Sequence, residues 1–219
     1  MHIDIHRHSA YPGKADIVLR NIFHFATEQT ELEKYCSVGL HPWHIKENEI
    51  YVDIDKVKAI ANKENVLAIG ETGLDKSKES NYDIQKEVFN EHLMLAKKYQ
   101  KPMVIHCVRS YSEMSQIRRD CKHEQPWIFH WFNASKQMGL DLIGKGCYLS
   151  FGHMLFYETS KAYKAFPDIP LENIFFETDD SEWEIDQVYE KAAELRGIEL
   201  SALQKQIKAN FERVFNINL

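Results

Sequence analysis

The sequence predicts an α/β fold, most simply a TIM-type (β/α)8 barrel that is reduced or distorted in its first βα unit. Three observations carry this. Eight short β-rich runs alternate with stretches of helical period along the 219 residues. Ligand-type residues stand at or just past the ends of several runs, where the C-terminal rim of a barrel would gather them. Only seven residues separate His8 from Asp16, too few for a helical crossover between parallel strands.

The runs are residues 2–5, 17–22, 35–40, 66–70, 102–106, 127–130, 147–151 and 174–177, each about strand length and most rich in Val, Ile, Phe or Tyr. Between them, residues 53–63 put Ile54, Val57, Ile60 and Ala61 on one stripe, and residues 84–99 do the same with Ile84, Val88, Leu95 and Tyr99. A helix over 185–196 stops at Gly197. A last helix opens on Ser201 and Gln204 as a capping box and buries Leu203, Ile207, Phe211 and Val214. No linker or repeat divides the chain, so a single domain over 1–219 is expected.

With 44% apolar and 27% charged residues, disorder and fibrous structure are excluded. No run reaches the ~18 apolar residues of a membrane span. The first nine residues alternate polar and apolar and carry Asp4 and three His, which is not a signal-peptide pattern. Cys36, Cys107, Cys121 and Cys147 show no paired spacing, which points to a reducing compartment and a cytoplasmic location. A net charge of −6 disfavours wrapping of long duplex nucleic acid but not a phosphate held by metal ions.

The chemistry begins at Asp4-Ile-His-Arg-His8. On a strand, His6 and His8 share a face about 7 Å apart and can converge on one metal ion. His106 and His130 end their runs, Glu71 follows one, and Asp179 follows another. His6 and Asp179 are 173 residues apart, about 25 per step over seven βα units, a plausible unit length. Four imidazoles and two carboxylates on one rim suit two divalent ions: Zn, Mn or Fe, or Mg with more water in the shell.

Asp4-Ile-His-Arg-His8, Gly39-Leu-His-Pro42, Gly70-Glu-Thr-Gly-Leu-Asp75, Pro102-Met-Val-Ile-His106, Phe129-His-Trp-Phe132 and Glu177-Thr-Asp179 occur in this order. Together they resemble the TatD family of metal-dependent hydrolases, as a compact subfamily. The resemblance implies a TIM-type barrel with two divalent metal ions (Zn, Mn or Mg) and phosphodiesterase or deoxyribonuclease activity on single-stranded DNA or a small phosphodiester. It implies that His6, His8 and Asp179 hold one metal, and that Glu71 bridges to a second held by His106 and His130. Asp179 and Glu71 are then the catalytic residues, with Asp179 taking the proton of the attacking water. The chain departs from the family's pattern at Cys107-Val-Arg109, at Trp131-Phe-Asn133 and at Asp180-Ser181.

His41, Arg109 and His153 are candidates for substrate contact, and Asp4 and Asp75 for orienting metal ligands. Trp43, Trp131 and Phe132 follow rim motifs and could stack on a base. His2, His24, His44, His92 and His123 read as surface or packing residues, and the basic patch from Arg118 to Lys122 as a solvated helix end. Cys107 faces away from His106 and is not expected to bind metal. Two other functions share the motif set: a dinuclear amidohydrolase-like enzyme acting on a lactone, amide or small phosphate ester, and a non-catalytic metal-binding barrel.

Overall fold

The computed structural model describes residues 1–11, 13–78, 81–121 and 124–219, so Lys122 and His123 lie outside the described residues. Among the described residues there are eight strands: β1 (Ile3–Arg7), β2 (Ile17–Phe23), β3 (Cys36–Gly39), β4 (Val66–Asp75), β5 (Met103–Val108), β6 (Trp127–Phe129), β7 (Cys147–Phe151) and β8 (Ile174–Phe176). Their hydrogen-bonded order is their chain order, β1 to β8. The helices are α1 (Ile50–Ile60), α2 (Tyr82–Tyr99), α3 (Tyr111–Asp120), α4 (Lys136–Ile143), α5 (Lys161–Ala165), α6 (Ile185–Arg196) and α7 (Leu200–Phe215). The chain falls into two compact units, residues 1–20 with 129–219 and residues 21–128.

In the first unit, all five residues of β1 are buried, as in a parallel strand covered on both faces. Ile3 pairs with Ile17 and Asp4 with Val18 in parallel register. Strand β2 is therefore correctly placed, and the distortion lies in its connection. Residues 8–16 contain no helix among those described, and the Asp16 and Ile17 N–H groups both donate to the His2 carbonyl, at 2.9 and 3.2 Å. Buried Tyr189 of α6 locks the start of β1 from the other side. Its hydroxyl accepts the Ile3 N–H and donates to the Ile3 carbonyl, both at 3.1 Å.

Strands β7 and β8 pair in parallel, Leu149 with Ile174 through Phe151 with Phe176. Behind them Phe151 meets Phe166 edge-on at 5.0 Å, and Phe176 meets Tyr189 at 4.7 Å. Helix α7 buries Leu203, Ile207, Phe211 and Val214 on one stripe, as its period predicts. The capping box does not form at Ser201. Glu199 takes the N-cap position without a side-chain bond, and a reciprocal box instead joins Glu184 and Gln187 at the start of α6.

In the second unit, β4 runs five residues past its expected end at Gly70, and all ten of its residues are buried. The extension carries Glu71 and Asp75 along β5, with Gly73 opposite His106 and Leu74 opposite Cys107. Gly73 makes this approach possible: a Cβ there would lie 1.9 Å from the His106 carbonyl oxygen. Helices α1 and α2 cover this layer, with Ile50, Ile54, Val88 and Leu40 forming a buried cluster. Helix α1 starts and stops three residues before the predicted 53–63.

Candidate metal and substrate site

Among the described residues, ligand-type side chains gather into a cluster within each unit. The first sits at the ends of β1 and β8. His6 is the penultimate residue of β1 and His8 follows it by two, so the pleat places both on one face, their rings meeting edge-on at 5.0 Å. His8 Nε2 lies 3.1 Å from Asp179 Oδ1, and His6 Nε2 lies 3.6 Å from the same oxygen. The His130 ring stands 4.4 Å from that of His6.

Asp179 is held by its backbone. Its N–H donates to the His6 carbonyl at 2.9 Å, and its φ of 52° is a left-handed conformation that Asp tolerates better than most residues. The preceding Thr178 is pinned by Asp4, whose Oδ2 accepts the Thr178 hydroxyl at 2.5 Å and whose Oδ1 accepts its N–H at 3.1 Å. Complete burial pushes the Asp4 carboxyl up to about 7, against the lowering effect of the Thr178 bonds and Arg7. Glu177 carries no expected role, yet it is buried here. Its Oε1 accepts the Trp131 N–H at 2.6 Å and lies 3.5 Å from His130 Nδ1.

The second cluster joins His41, Glu71 and His106. Glu71 Oε1 lies 2.7 Å from His106 Nδ1 and 3.0 Å from His41 Nε2, and the two ring nitrogens are 3.1 Å apart. Asn21 Oδ1 accepts the Glu71 N–H at 2.9 Å and fixes the residue that follows the cis Gly70–Glu71 peptide. On the far side of its ring, His106 Nε2 faces Asp75 Oδ2 at 3.1 Å. This is the carboxylate–histidine arrangement that fixes a ring's tautomer and frees its other nitrogen for a metal. Although burial pushes Asp75 up, bonds from His106, Ser77 and Trp43 hold its carboxyl below the usual range.

His41 differs from His106. Its Nδ1 accepts the Trp43 backbone N–H at 3.0 Å, so the neutral ring carries its proton on Nε2, directed at Glu71 and His106. In that tautomer His41 is a hydrogen-bond donor, not a metal ligand.

The donor sets suit divalent ions. Donors on adjacent corners of a shell with bonds of ~2.0–2.2 Å lie about 3–3.5 Å apart. The two imidazoles around Asp179 have nearly this spacing, and Glu71 with His106 can open to it.

The remaining candidates are not gathered here. Arg109 is exposed at the end of β5 with φ 54°, and among the described residues no hydrogen bond or ion pair joins it to either cluster. The His153 ring meets Trp131 at 5.1 Å and Tyr157 at 6.2 Å. Phe132 is buried against Phe151 rather than available for stacking. Cys107 is buried, and burial pushes its thiol far up, as expected of a side chain facing away from the site. His92 and His24 are both buried. No described helix is long and apolar enough to cross a membrane.

A family model described as TatD related DNase matches residues 18–216. A Buchnera aphidicola protein named an uncharacterized metal-dependent hydrolase is 30% identical over 170 residues, 70% of this chain; the chain spans 63% of that relative's length. Escherichia coli YcfH, named in the same way, is 27% identical over 198 residues, 83% of this chain and 74% of the relative. The crystal structure of YjjV, a TatD homologue from Escherichia coli, superposes with a TM-score of 0.87 at 20% identity and covers 99% of this chain and 98% of its own. That likeness establishes the TIM-type barrel fold of the TatD proteins for this chain.

Proposed function

Because this chain belongs to the TatD related DNase family of metal-dependent hydrolases, we propose that it is a metal-dependent phosphodiesterase acting on single-stranded DNA or a small phosphodiester. The observation that carries this reading is the convergence of His6 and His8 on a single oxygen of Asp179. Six residues would hold two divalent ions, Zn, Mn or Mg: His6, His8, His130 and Asp179 in the first unit, and Glu71 and His106 in the second. When bound, the ions supply Lewis acidity toward a phosphate oxygen and lower the pKa of a water.

The side chains do the remaining work. Asp179 presents a carboxylate that can accept a proton from the attacking water, and its pinned backbone keeps that oxygen in place. His41 directs its Nε2–H at the Glu71–His106 cluster, where it can donate to a non-bridging phosphate oxygen. Asp75 orients His106, and Asp4 orients the turn that carries Asp179. Arg109 and His153 are less favoured as substrate contacts than His41. Cys36, Cys107 and Cys147 are buried and Cys121 is partly so, and thiols in such places favour a reducing, cytoplasmic setting.

A substrate panel tests the reading. With Mn, Zn or Mg added, bis(4-nitrophenyl) phosphate should be hydrolysed while a lactone and an anilide are not. Turnover of the lactone or anilide alone would move the chain to the amidohydrolase-like class. Tight metal binding with no turnover of any substrate would leave a non-catalytic metal-binding barrel.

A further inference from the structure

Just past the end of β8, Glu177 is a buried carboxylate that the proposed chemistry leaves without a task. It is 1% exposed. An acidic side chain sealed from water is costly unless several donors meet it. The Trp131 N–H does so at close range, donating to Oε1 at 2.6 Å. His130 Nδ1 lies 3.5 Å from the same oxygen, and Oε2 is buried with no hydrogen-bond partner among the described residues. An apolar side chain of similar volume would fill this place more cheaply, so a carboxylate here calls for a role.

The two residues that Glu177 faces are consecutive, and each bears on the site. His130 follows β6, and its ring stands 4.4 Å from that of His6. Trp131 has a φ of 42°, a left-handed conformation that a bulky side chain rarely adopts. Such a backbone persists only where surrounding contacts hold it. The Phe132 N–H donates to the Ser150 carbonyl at 2.9 Å, and Asn133 Oδ1 accepts the Ala162 N–H at 2.9 Å. The segment is thus tied at three successive residues, and Glu177 supplies the tie next to His130. Glu177 is itself fixed, its N–H donating to the Phe151 carbonyl at 3.1 Å.

We infer that Glu177 is a positioning residue for the metal site: it keeps the proton of the neutral His130 ring on Nδ1, leaves Nε2 to ligate, and holds the backbone that carries the ring. The inference rests on His130 being a metal ligand, as proposed above. A carboxylate beside Nδ1 favours the tautomer with the proton on that nitrogen and makes the other nitrogen a better ligand. Asp75 stands in the same relation to His106 in the second unit. Glu177 lies two residues before Asp179, so one short stretch after β8 carries a metal ligand and the group that orients another.

Imidazole nitrogen NMR shifts of the metal-free full chain, with the His130 signals identified by their loss in His130→Asn, test the tautomer without substrate or metal. In wild type the His130 proton should sit on Nδ1. Glu177→Gln keeps an acceptor for the Trp131 N–H but removes the charge that faces the ring. It should shift the proton toward Nε2 and weaken zinc binding about 10- to 100-fold in a chelator competition, with unchanged circular dichroism. A role confined to holding the loop would move neither readout. His130 protonated on Nε2 in wild type would overturn the inference even if Glu177→Gln failed to fold, and so would wild-type zinc affinity in a folded Glu177→Gln. Zinc affinity that falls in Glu177→Gln, in a protein that cleaves no DNA, would support the positioning role while overturning the nuclease reading. DNA cleavage by wild type with both readouts unchanged in Glu177→Gln would overturn the positioning role alone.

Discussion

His92 Nε2 accepts the backbone N–H of Leu40 at 3.0 Å, and its Nδ1–H donates to the Val88 carbonyl at 2.7 Å. The contact fixes the end of the β3 segment one residue before His41, so a buried helix residue positions a group of the site. Burial holds the His92 pKa at about 4, against an ordinary value of 6.5. The unfolded chain therefore binds a proton first as pH falls. The stability that neutral His92 contributes is complete above about pH 6.5 and is lost between there and pH 4. At pH 5 this one group should cost about 2 kcal/mol. Urea unfolding at pH 7.5 and pH 5 should show a steeper loss for wild type than for His92→Gln, and identical losses would contradict the assignment.

The contact between His106 Nε2 and Asp75 Oδ2, at 3.1 Å, makes a second prediction. Asp75 sets the tautomer of His106, which the proposed function makes a metal ligand. Asp75→Asn should weaken metal binding about 10- to 100-fold in a chelator competition and leave the circular dichroism unchanged. Unaltered metal affinity would show that the contact is structural only.

Gly73 carries a third. A methyl group there meets the His106 carbonyl oxygen at 1.9 Å, a backbone atom that cannot turn aside. Gly73→Ala should push β5 away from β4, lower stability by on the order of 3 kcal/mol, and reduce the metal content of what folds. Its urea midpoint and metal stoichiometry, measured together, check both effects.

Much of the site was legible because each ligand-type residue follows a short apolar run, and the eight runs all became strands. The distorted first unit was legible for a similar reason: seven residues cannot hold a helix. Other features left no one-dimensional signal. Strand β4 continues through Gly70 and Gly73, residues that read as breakers, because β5 approaches closely enough to require them. Helix α3 buries Met114, Ser115 and Arg118, so its inner stripe has no apolar period to find. The donor role of His41 comes from the Trp43 N–H, and the burial of Glu177 comes from Trp131 and His130. Both are tertiary facts. His24 and His44 lacked a motif, and only folding gives them a pocket to line.

Metal-dependent phosphodiester cleavage through Asp179 is tested by hydrolysis of an end-labelled single-stranded DNA with Mn, Zn or Mg, beside a chelated control and Asp179→Asn. Wild type should cleave the strand, with activity that vanishes with chelator and falls on the order of 10³-fold or more in Asp179→Asn. Wild-type protein that binds metal yet leaves the strand intact, or an Asp179→Asn variant that cleaves at the wild-type rate, would contradict it.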